Sequence, residues 1–277
     1  MTVSRSRCDP CGITCLISIY LIVIYTDYAF IQWIVLPLDV SLWAIVISIG
    51  LFQLILLLLV WSHLKASISD PGVVPQPQHK DNGQDLSSNH LFAKKDDNSG
   101  HNWSVCSRCQ MYRPPRAHHC RICERCVRKM DHHCPWINNC VGELNQKYFI
   151  LFLVYTGTAC IYILLSIIWS FLKSKLDSQQ RMIHTSVLLI EALLFGLFVV
   201  AVLTDQIQAI CANETAIDRY VKSKSQDHKS SSLTTKTTKL KAKKLMTEVC
   251  GTGPMVWWLI PCDPNHKYHA NNSHFIV

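Results

Sequence analysis

Charge is scarce over much of this chain. Of its 277 residues only 17% are Asp, Glu, Lys or Arg, against 49% hydrophobic. The shortage is concentrated in long blocks. That excludes an ordinary soluble domain, whose apolar residues are spread around one core. Other features are missing too. Thr2 stands where N-myristoylation needs glycine, so that anchor is not expected. Arg5 and Arg7 resemble the start of a signal peptide, but no small-residue cleavage site ends a short apolar core. A retained first helix is therefore expected. No internal repeat is evident along the chain.

What is present begins with four apolar blocks, Gly12–Leu38, Ser41–Leu64, Tyr148–Leu172 and Thr185–Thr204. A membrane-spanning helix needs about 20 mostly apolar residues. Lipid also demands an internally bonded backbone, so helices are the expected form. The fold class expected is an all-α polytopic membrane protein with four transmembrane helices. Asp27 is the one charge in the first block and marks a place near the far interface for a tilt or break. Glu191 is the acid inside the fourth. The third block holds "TGTA", Thr156–Ala159, its one run of four small residues. Small residues there either leave room for the end of a lipid tail or let helices pack closely.

Lysine and arginine set the orientation. Lys65 to Lys147 carries 12 of them and the tail from Asn213 carries 10; the 36–41 turn has none and the 173–184 loop has three. The positive-inside rule puts the central segment, both termini and the tail in the cytosol. With a net charge of +8 beside membrane spans, the partner expected is the anionic cytosolic leaflet and not nucleic acid. Pro75 to Asn102 is rich in Gln, Asn, Asp and Ser and reads as a linker. The lysine- and serine-rich stretch of the tail reads the same way. The following "MVWWLIP" carries tryptophans suited to the membrane interface.

The chemistry is concentrated after the linker. Seven cysteines (106, 109, 120, 123, 126, 134, 140) and four histidines (118, 119, 132, 133) fall between Cys106 and Cys140. Fourteen cysteines in a chain of this length, with Cys-x-x-Cys steps among histidines, fit metal and thiol chemistry in a reducing compartment better than a disulfide scaffold. The steps at 106/109, 120/123 and 123/126 have zinc-ligand spacing. Two Cys3His sites would use six cysteines and two histidines. One cysteine and two histidines remain. A cysteine beside two histidines and an aspartate is a candidate activated nucleophile; a third metal site or a spare thiol is the plainer alternative. Spacing leaves open whether Cys134 or Cys140 is the free one, and which histidine of each pair faces metal.

The stretch from Cys106 to Phe149 resembles the cysteine-rich domain of the DHHC protein S-acyltransferases. It shares the Cys/His spacing, "RPPRAHHC", the tetrad Asp131-His132-His133-Cys134, and "CPWINNCVG" leading into a span. The likeness extends to four spans and to "DPG" at Asp70–Gly72, and is greatest to Golgi-type members. The resemblance implies two structural zinc ions. One would be held by Cys106, Cys109, His119 and Cys126, the other by Cys120, Cys123, His133 and Cys140. It implies Cys134 as acyl-accepting nucleophile, His132 as its base and Asp131 as the orienting acid. His118 falls outside both sets. Seven neighbouring basic residues, Arg108, Arg113, Arg116, Arg121, Arg125, Arg128 and Lys129, would balance the charge of the metal shells or bind CoA phosphates. The family's "TTxE" motif corresponds to Thr215–Asp218, where Ala216 replaces the second threonine and Asp218 the glutamate.

The implied order is a cytosolic N-terminus (1–11), helices one and two (12–64), a cytosolic linker with "DPG" (65–105), the zinc and catalytic domain (106–147), helices three and four (148–204) and a cytosolic tail (205–277). Cys134 lies 14 residues before Tyr148, so an apolar cavity among the helices would suit the fatty tail. The expected cosubstrate is fatty acyl-CoA, and the expected acceptors are cysteines of membrane-surface proteins. The expected location is the Golgi or endoplasmic reticulum membrane; self-association is indicated neither way. Cys8, Cys11 and Cys15 are juxtamembrane cysteines open to S-acylation, though ordinary membrane-edge residues are the better reading. The rival is a membrane-anchored zinc module without transferase activity. A RING-type module would need a long first gap and a Cys-x-His step, and neither is present.

Overall fold

The computed structural model describes residues 9–75, 103–173, 178–225 and 239–262. Arg5, Arg7, Cys8, the linker beyond Pro75 and the middle of the lysine- and serine-rich stretch lie outside the described residues. Four helices are long and apolar enough to cross a membrane. Helix α1 is Pro10–Ala29 and runs on through a π-helical stretch, Phe30–Val35; α2 is Leu42–Ile68, α3 Gln146–Lys173 and α4 Gln179–Ala212. Asp9 starts α1: its Oδ1 accepts the Cys11 N–H at 3.1 Å, and Pro10 takes the first helical position, where a missing N–H costs nothing. Ser178 caps α4 by accepting the Arg181 N–H at 3.2 Å. The helix does not break at Asp27, which instead accepts a hydrogen bond from Gln53 at 2.6 Å. The widened turn comes three residues later.

In three of the four spans less than a quarter of the apolar stretch is buried within the protein. Leu21, Ile24, Leu42, Ile168 and Leu197 face outward. Water would not tolerate that much exposed apolar surface, whereas a bilayer requires it. This is a multi-pass membrane protein.

The chain divides into two compact units. One takes in the described parts of Ile17–Ala66, Lys147–Asn213 and Thr234–Val277. Its core draws on all four helices, with Phe30, Phe52, Leu56, Ile163, Leu188 and Ala192 among its members. Polar side chains inside it are matched across helices: Thr26 donates to Glu191, Tyr20 meets His63 at 3.0 Å, and Arg181 donates to Ser170 Oγ at 2.8 Å and to the Trp33 carbonyl at 3.2 Å. Of the two readings of Thr156–Ala159, packing is the one this geometry favours. A side chain on Gly157 would come within 3.3 Å of Val199 on α4, and Ala159 is buried in the same core. Helix α4 outruns its apolar block by eight residues, because polar side chains from Asp205 onward still sustain a helix. Asn213 ends it in the left-handed conformation, its N–H bonding back to the Ala209 and Ile210 carbonyls. Lys147, at the start of α3, is buried and donates to the tail's Trp257 and Cys262 carbonyls at 3.0 and 3.1 Å. Trp257 lies within the short α7, Val256–Leu259, and Cys262 just beyond it; the other tail helix described in this unit is α6, Lys239–Cys250.

The second unit takes in the described parts of Met1–Leu16, Ser67–Gln146 and Glu214–Leu233. It contains three two-stranded hairpins: β1–β2 (Ser104–Cys106, Met111–Arg113), β3–β4 (His118–Cys120, Arg125–Val127) and β5–β6 (His132–Cys134, Asn139–Val141). The membrane part is thus helical, while the cysteine-rich part is built from short strands. The "DPG" segment, Asp70–Gly72, belongs to the same unit as the hairpins. Asp70 Oδ1 accepts the Gly72 and Val73 N–H groups at 2.8 Å, and Val73 bridges Val127. Gly72 has φ +102°, which a side chain would disfavour. Gly142 is needed for a different reason. A Cβ there would lie 2.4 Å from the Pro71 carbonyl oxygen.

The candidate metal and thiol centre

The hairpins form a repeat that the sequence reading did not expect. Cross-strand pairs fall 14 residues apart: Cys106 with Met111, Cys120 with Arg125, Cys134 with Asn139. One step along each strand, Val105 pairs with Tyr112, His119 with Cys126 and His133 with Cys140. Each turn carries a non-glycine residue in the left-handed region, Gln110, Glu124 and Asn138 in order. The turn of a hairpin can therefore offer a Cys-x-x-Cys pair, and its strands a His/Cys pair.

These pairs combine between successive hairpins. The turn of the first supplies Cys106 and Cys109, and the strands of the second supply His119 and Cys126. Their donor atoms lie within 4.8 Å of one another. Likewise Cys120 and Cys123 of the second turn meet His133 and Cys140 of the third hairpin's strands. In the first cluster Cys109 Sγ is 3.2 Å from His119 Nδ1 and 3.8 Å from Cys126 Sγ. In the second, His133 Nδ1 is 3.8, 3.4 and 3.8 Å from the Sγ atoms of Cys120, Cys123 and Cys140. A tetrahedron with metal–ligand bonds of about 2.0–2.3 Å has edges of roughly 3.3–3.8 Å, close to the spacings in both donor sets, which suit a tetrahedral cation. Their acid–base behaviour fits as well. Hydrogen bonds with Cys123 and Cys140 drive the Cys120 pKa down, while those with Cys120 and Cys123 drive the Cys140 pKa up. Thiols so close cannot all ionise unaided, and a divalent cation removes that conflict.

At the ends of the array the pattern lacks partners. The first hairpin has Val105 and Tyr112 where the others have His and Cys. The third turn has Cys134 at the place of Cys106 and Cys120, but Ile137 where Cys109 and Cys123 stand. Cys134 thus holds a ligand's position, and among the described residues no further hairpin completes a site there. It is buried, and it follows a buried acid. Asp131 Oδ2 accepts from His132 Nδ1 at 2.8 Å. Burial opposes charge on the His132 ring, yet hydrogen bonds to Asp131 and Cys134, with the charges of both, carry its pKa up to about 9.

The other oxygen of Asp131 has a partner the sequence reading missed. Asp131 Oδ1 accepts the backbone N–H of Ala216 at 2.7 Å. Ala216 opens α5, Ala216–Ser225. Thr215 and Asp218 cap this helix reciprocally. The Asp218 N–H donates to Thr215 Oγ1 at 3.2 Å, and the Thr215 N–H to Asp218 Oδ2 at 3.0 Å. The T-x-x-D spacing is the available signal. Asp218 also accepts from Arg116 Nε at 2.9 Å, and its other oxygen lies 3.8 Å from His118 Nε2. Burial alone would raise the Asp218 pKa, but the Thr215 amide and the Arg116 charge hold it below the ordinary carboxylate value. His118, outside both metal clusters, is pushed down by burial and by Arg113. Much of the basic surface is already engaged: Arg128 and Lys129 pair with Glu143, Arg125 with Asn139, and Arg113 with Ser104.

This constellation has relatives. A family model described as DHHC palmitoyltransferase matches residues 99–223. Palmitoyltransferase ZDHHC3 of Rattus norvegicus is 36% identical over 223 residues, covering 77% of this chain and 72% of that protein. Palmitoyltransferase ZDHHC7 of Rattus norvegicus is 36% identical over 220 residues, covering 76% and 68%. A plant protein, probable protein S-acyltransferase 14 of Arabidopsis thaliana, is 36% identical over 195 residues, covering 66% and 63%. The chain belongs to the DHHC palmitoyltransferase family. Its activity is protein S-acyl transfer, and the DHHC tetrad is Asp131 to Cys134. In this family member the motif departure at Thr215–Asp218 keeps a contact with the tetrad through the Ala216 amide.

Proposed function

We propose that Cys134 carries the acyl group in transit between a fatty acyl-CoA and a substrate cysteine. The carrying observation is the hairpin register, which leaves Cys134 outside both metal clusters and next to the Asp131–His132 pair. Cys134 gives its proton to His132, and the sulfur bonds to the thioester carbonyl carbon. The bond to CoA sulfur then breaks, and the leaving thiolate takes the proton. In the second half a substrate thiol gives its proton to His132 as its sulfur bonds to the acyl carbon of the Cys134 thioester. The bond to Cys134 sulfur breaks, and the leaving Cys134 thiolate is paired with the protonated His132. Asp131 fixes the His132 ring by its Nδ1 and supports its charge. Asp131 is itself held by the Ala216 amide at the N-terminus of α5, where an anion is favoured.

The cations assigned to the two clusters are structural zinc. Cys106, Cys109, His119 and Cys126 hold one, and Cys120, Cys123, His133 and Cys140 the other. Closed Cys3His shells leave no position for water, so the metals' part is to fix the hairpins. The acyl donor is a long-chain acyl-CoA, palmitoyl-CoA first. The acceptors are cysteine-bearing proteins at the membrane surface. Golgi or endoplasmic reticulum membrane is the proposed location, supported by the likeness to Golgi-type members.

The test is covalent labelling. Purified protein incubated with radiolabelled palmitoyl-CoA is expected to gain label that neutral hydroxylamine removes and that peptide mapping assigns to Cys134. Label confined to another cysteine would overturn the assignment. His132→Ala should slow labelling by about 10²–10⁴-fold, the usual worth of a general base, with metal content unchanged. A wild-type labelling rate would remove His132 from the mechanism.

Orientation has its own test. The basic residues flanking the spans support a cytosolic metal domain and cytosolic termini. Asn213 begins an N-x-S/T sequence at the end of α4; Asn102 and Asn271 begin two more, outside the described residues. None should carry a glycan. An endoglycosidase-sensitive mobility shift at any of them would reverse the topology.

A further inference from the structure

The carboxylate of Asp9 has two oxygens with different tasks. Oδ1 caps α1 through the Cys11 N–H. Oδ2 lies 3.5 Å from His133 Nε2. The two residues belong to the same compact unit, and their side chains are only 15% and 8% exposed.

His133 turns its Nδ1 towards the three sulfurs of the second cluster. A histidine that ligates a cation through Nδ1 has no proton there, so when neutral it carries its proton on Nε2. That N–H is buried, and among the described residues no acceptor stands at ordinary hydrogen-bond geometry. A buried N–H without an acceptor costs about 1–3 kcal/mol. Asp9 Oδ2 is the carboxylate oxygen in reach.

We propose that Asp9 is the outer carboxylate of the second metal cluster, accepting the His133 Nε2–H and so holding the imidazole with Nδ1 towards the three cysteines. The inference rests on the reading of Cys120, Cys123, His133 and Cys140 as zinc ligands. Partners of this kind fix ring orientation and raise ligand basicity, and their loss commonly lowers metal affinity about 10–100-fold. Asp9 is a positioning residue. It touches no reacting atom, and it makes the start of the first span part of the metal domain. His133 immediately precedes Cys134, so the same contact steadies the strand that presents the nucleophile.

Capping and metal positioning can be separated. Serine caps a helix about as well as aspartate but has a shorter side chain. Asp9→Ser therefore keeps α1 capped and withdraws the acceptor from His133. The measurement is zinc release from the detergent-purified full chain to a chelating dye, together with total zinc by elemental analysis. Wild type is expected to hold two zincs. In Asp9→Ser one of them should leave about 10–100-fold faster and the other at its wild-type rate. The second arm uses His133→Cys, which keeps a four-ligand site but has no imidazole to orient. On that background Asp9→Ser should change nothing. Equal release from wild type and Asp9→Ser would overturn the proposal. So would acceleration of both zincs alike, or an undiminished effect on the His133→Cys background. A wild-type protein with fewer than two zincs would instead defeat the underlying ligand assignment.

Discussion

Cys134→Ser is expected to abolish hydroxylamine-labile acyl uptake while the protein keeps both zincs and its fold. The two halves of that result come from different features. Uptake fails because a hydroxyl beside His132 is a far weaker nucleophile than a thiol, and any oxygen ester formed would resist neutral hydroxylamine. Zinc is kept because Cys134 belongs to neither donor cluster. Its counterparts in the first two hairpins, Cys106 and Cys120, do belong. The side chain is buried, but cysteine and serine are close in size, so little packing is lost. The comparison is zinc per chain by elemental analysis beside label per chain from radiolabelled palmitoyl-CoA. Loss of one full zinc would make Cys134 a ligand, and the assignment of nucleophile would pass elsewhere.

The four spans were legible because a bilayer requires long, nearly uncharged blocks, and few other folds tolerate four of them. Their ends were less so. The apolar block stops at Thr204, but nothing in Asp205, Gln206 or the residues after them breaks a helix, and α4 continues to Asn213. The cysteine-rich part shows the opposite limit. Metal spacing was visible, yet the 14-residue repeat was not. Apart from Val127 and Val141, only Cys, His and one left-handed residue recur in it, and the two end hairpins lack part of the pattern at Val105, Tyr112 and Ile137. Spacing could not separate Cys134 from Cys140. In the structure Cys140, paired across from His133, joins the second donor cluster, and Cys134, paired with Asn139, joins neither. Asp218 entered the sequence reading only as a shorter acid in place of the family's glutamate. It sits one turn inside a capped helix, where the shorter side chain reaches Thr215 and Arg116 together. Asp9 escaped notice because its sequence signal, Asp-Pro before an apolar run, announces only a helix start.

Cys120→Ala should have the larger structural effect and the opposite signature. The side chain lost is a donor of the second cluster, in the turn of the middle hairpin. That hairpin serves both clusters, since its strands hold His119 and Cys126 for the first. Ligand binding free energy in small zinc domains is folding free energy, about 10–16 kcal/mol per structural zinc at neutral pH. Little else holds three-residue strands together. Cores behind the hairpins are small, with Val74, Met111 and Ala117 around the first cluster and Val127 and Met130 around the second. Losing the second zinc should release β5–β6, and with it Asp131, His132 and Cys134. Zinc is expected to fall from two per chain to one or fewer. Acyl uptake should vanish, although the nucleophile is intact. Amide exchange should accelerate across His132–Val141, with the α1–α4 helices still protected, because their packing is supplied by a separate apolar core. Cys134→Ser would leave the exchange of that hairpin at the wild-type rate. A Cys120→Ala protein retaining two zincs and a protected third hairpin would show that Cys120 is not a ligand, and would break the interlocked arrangement at its centre.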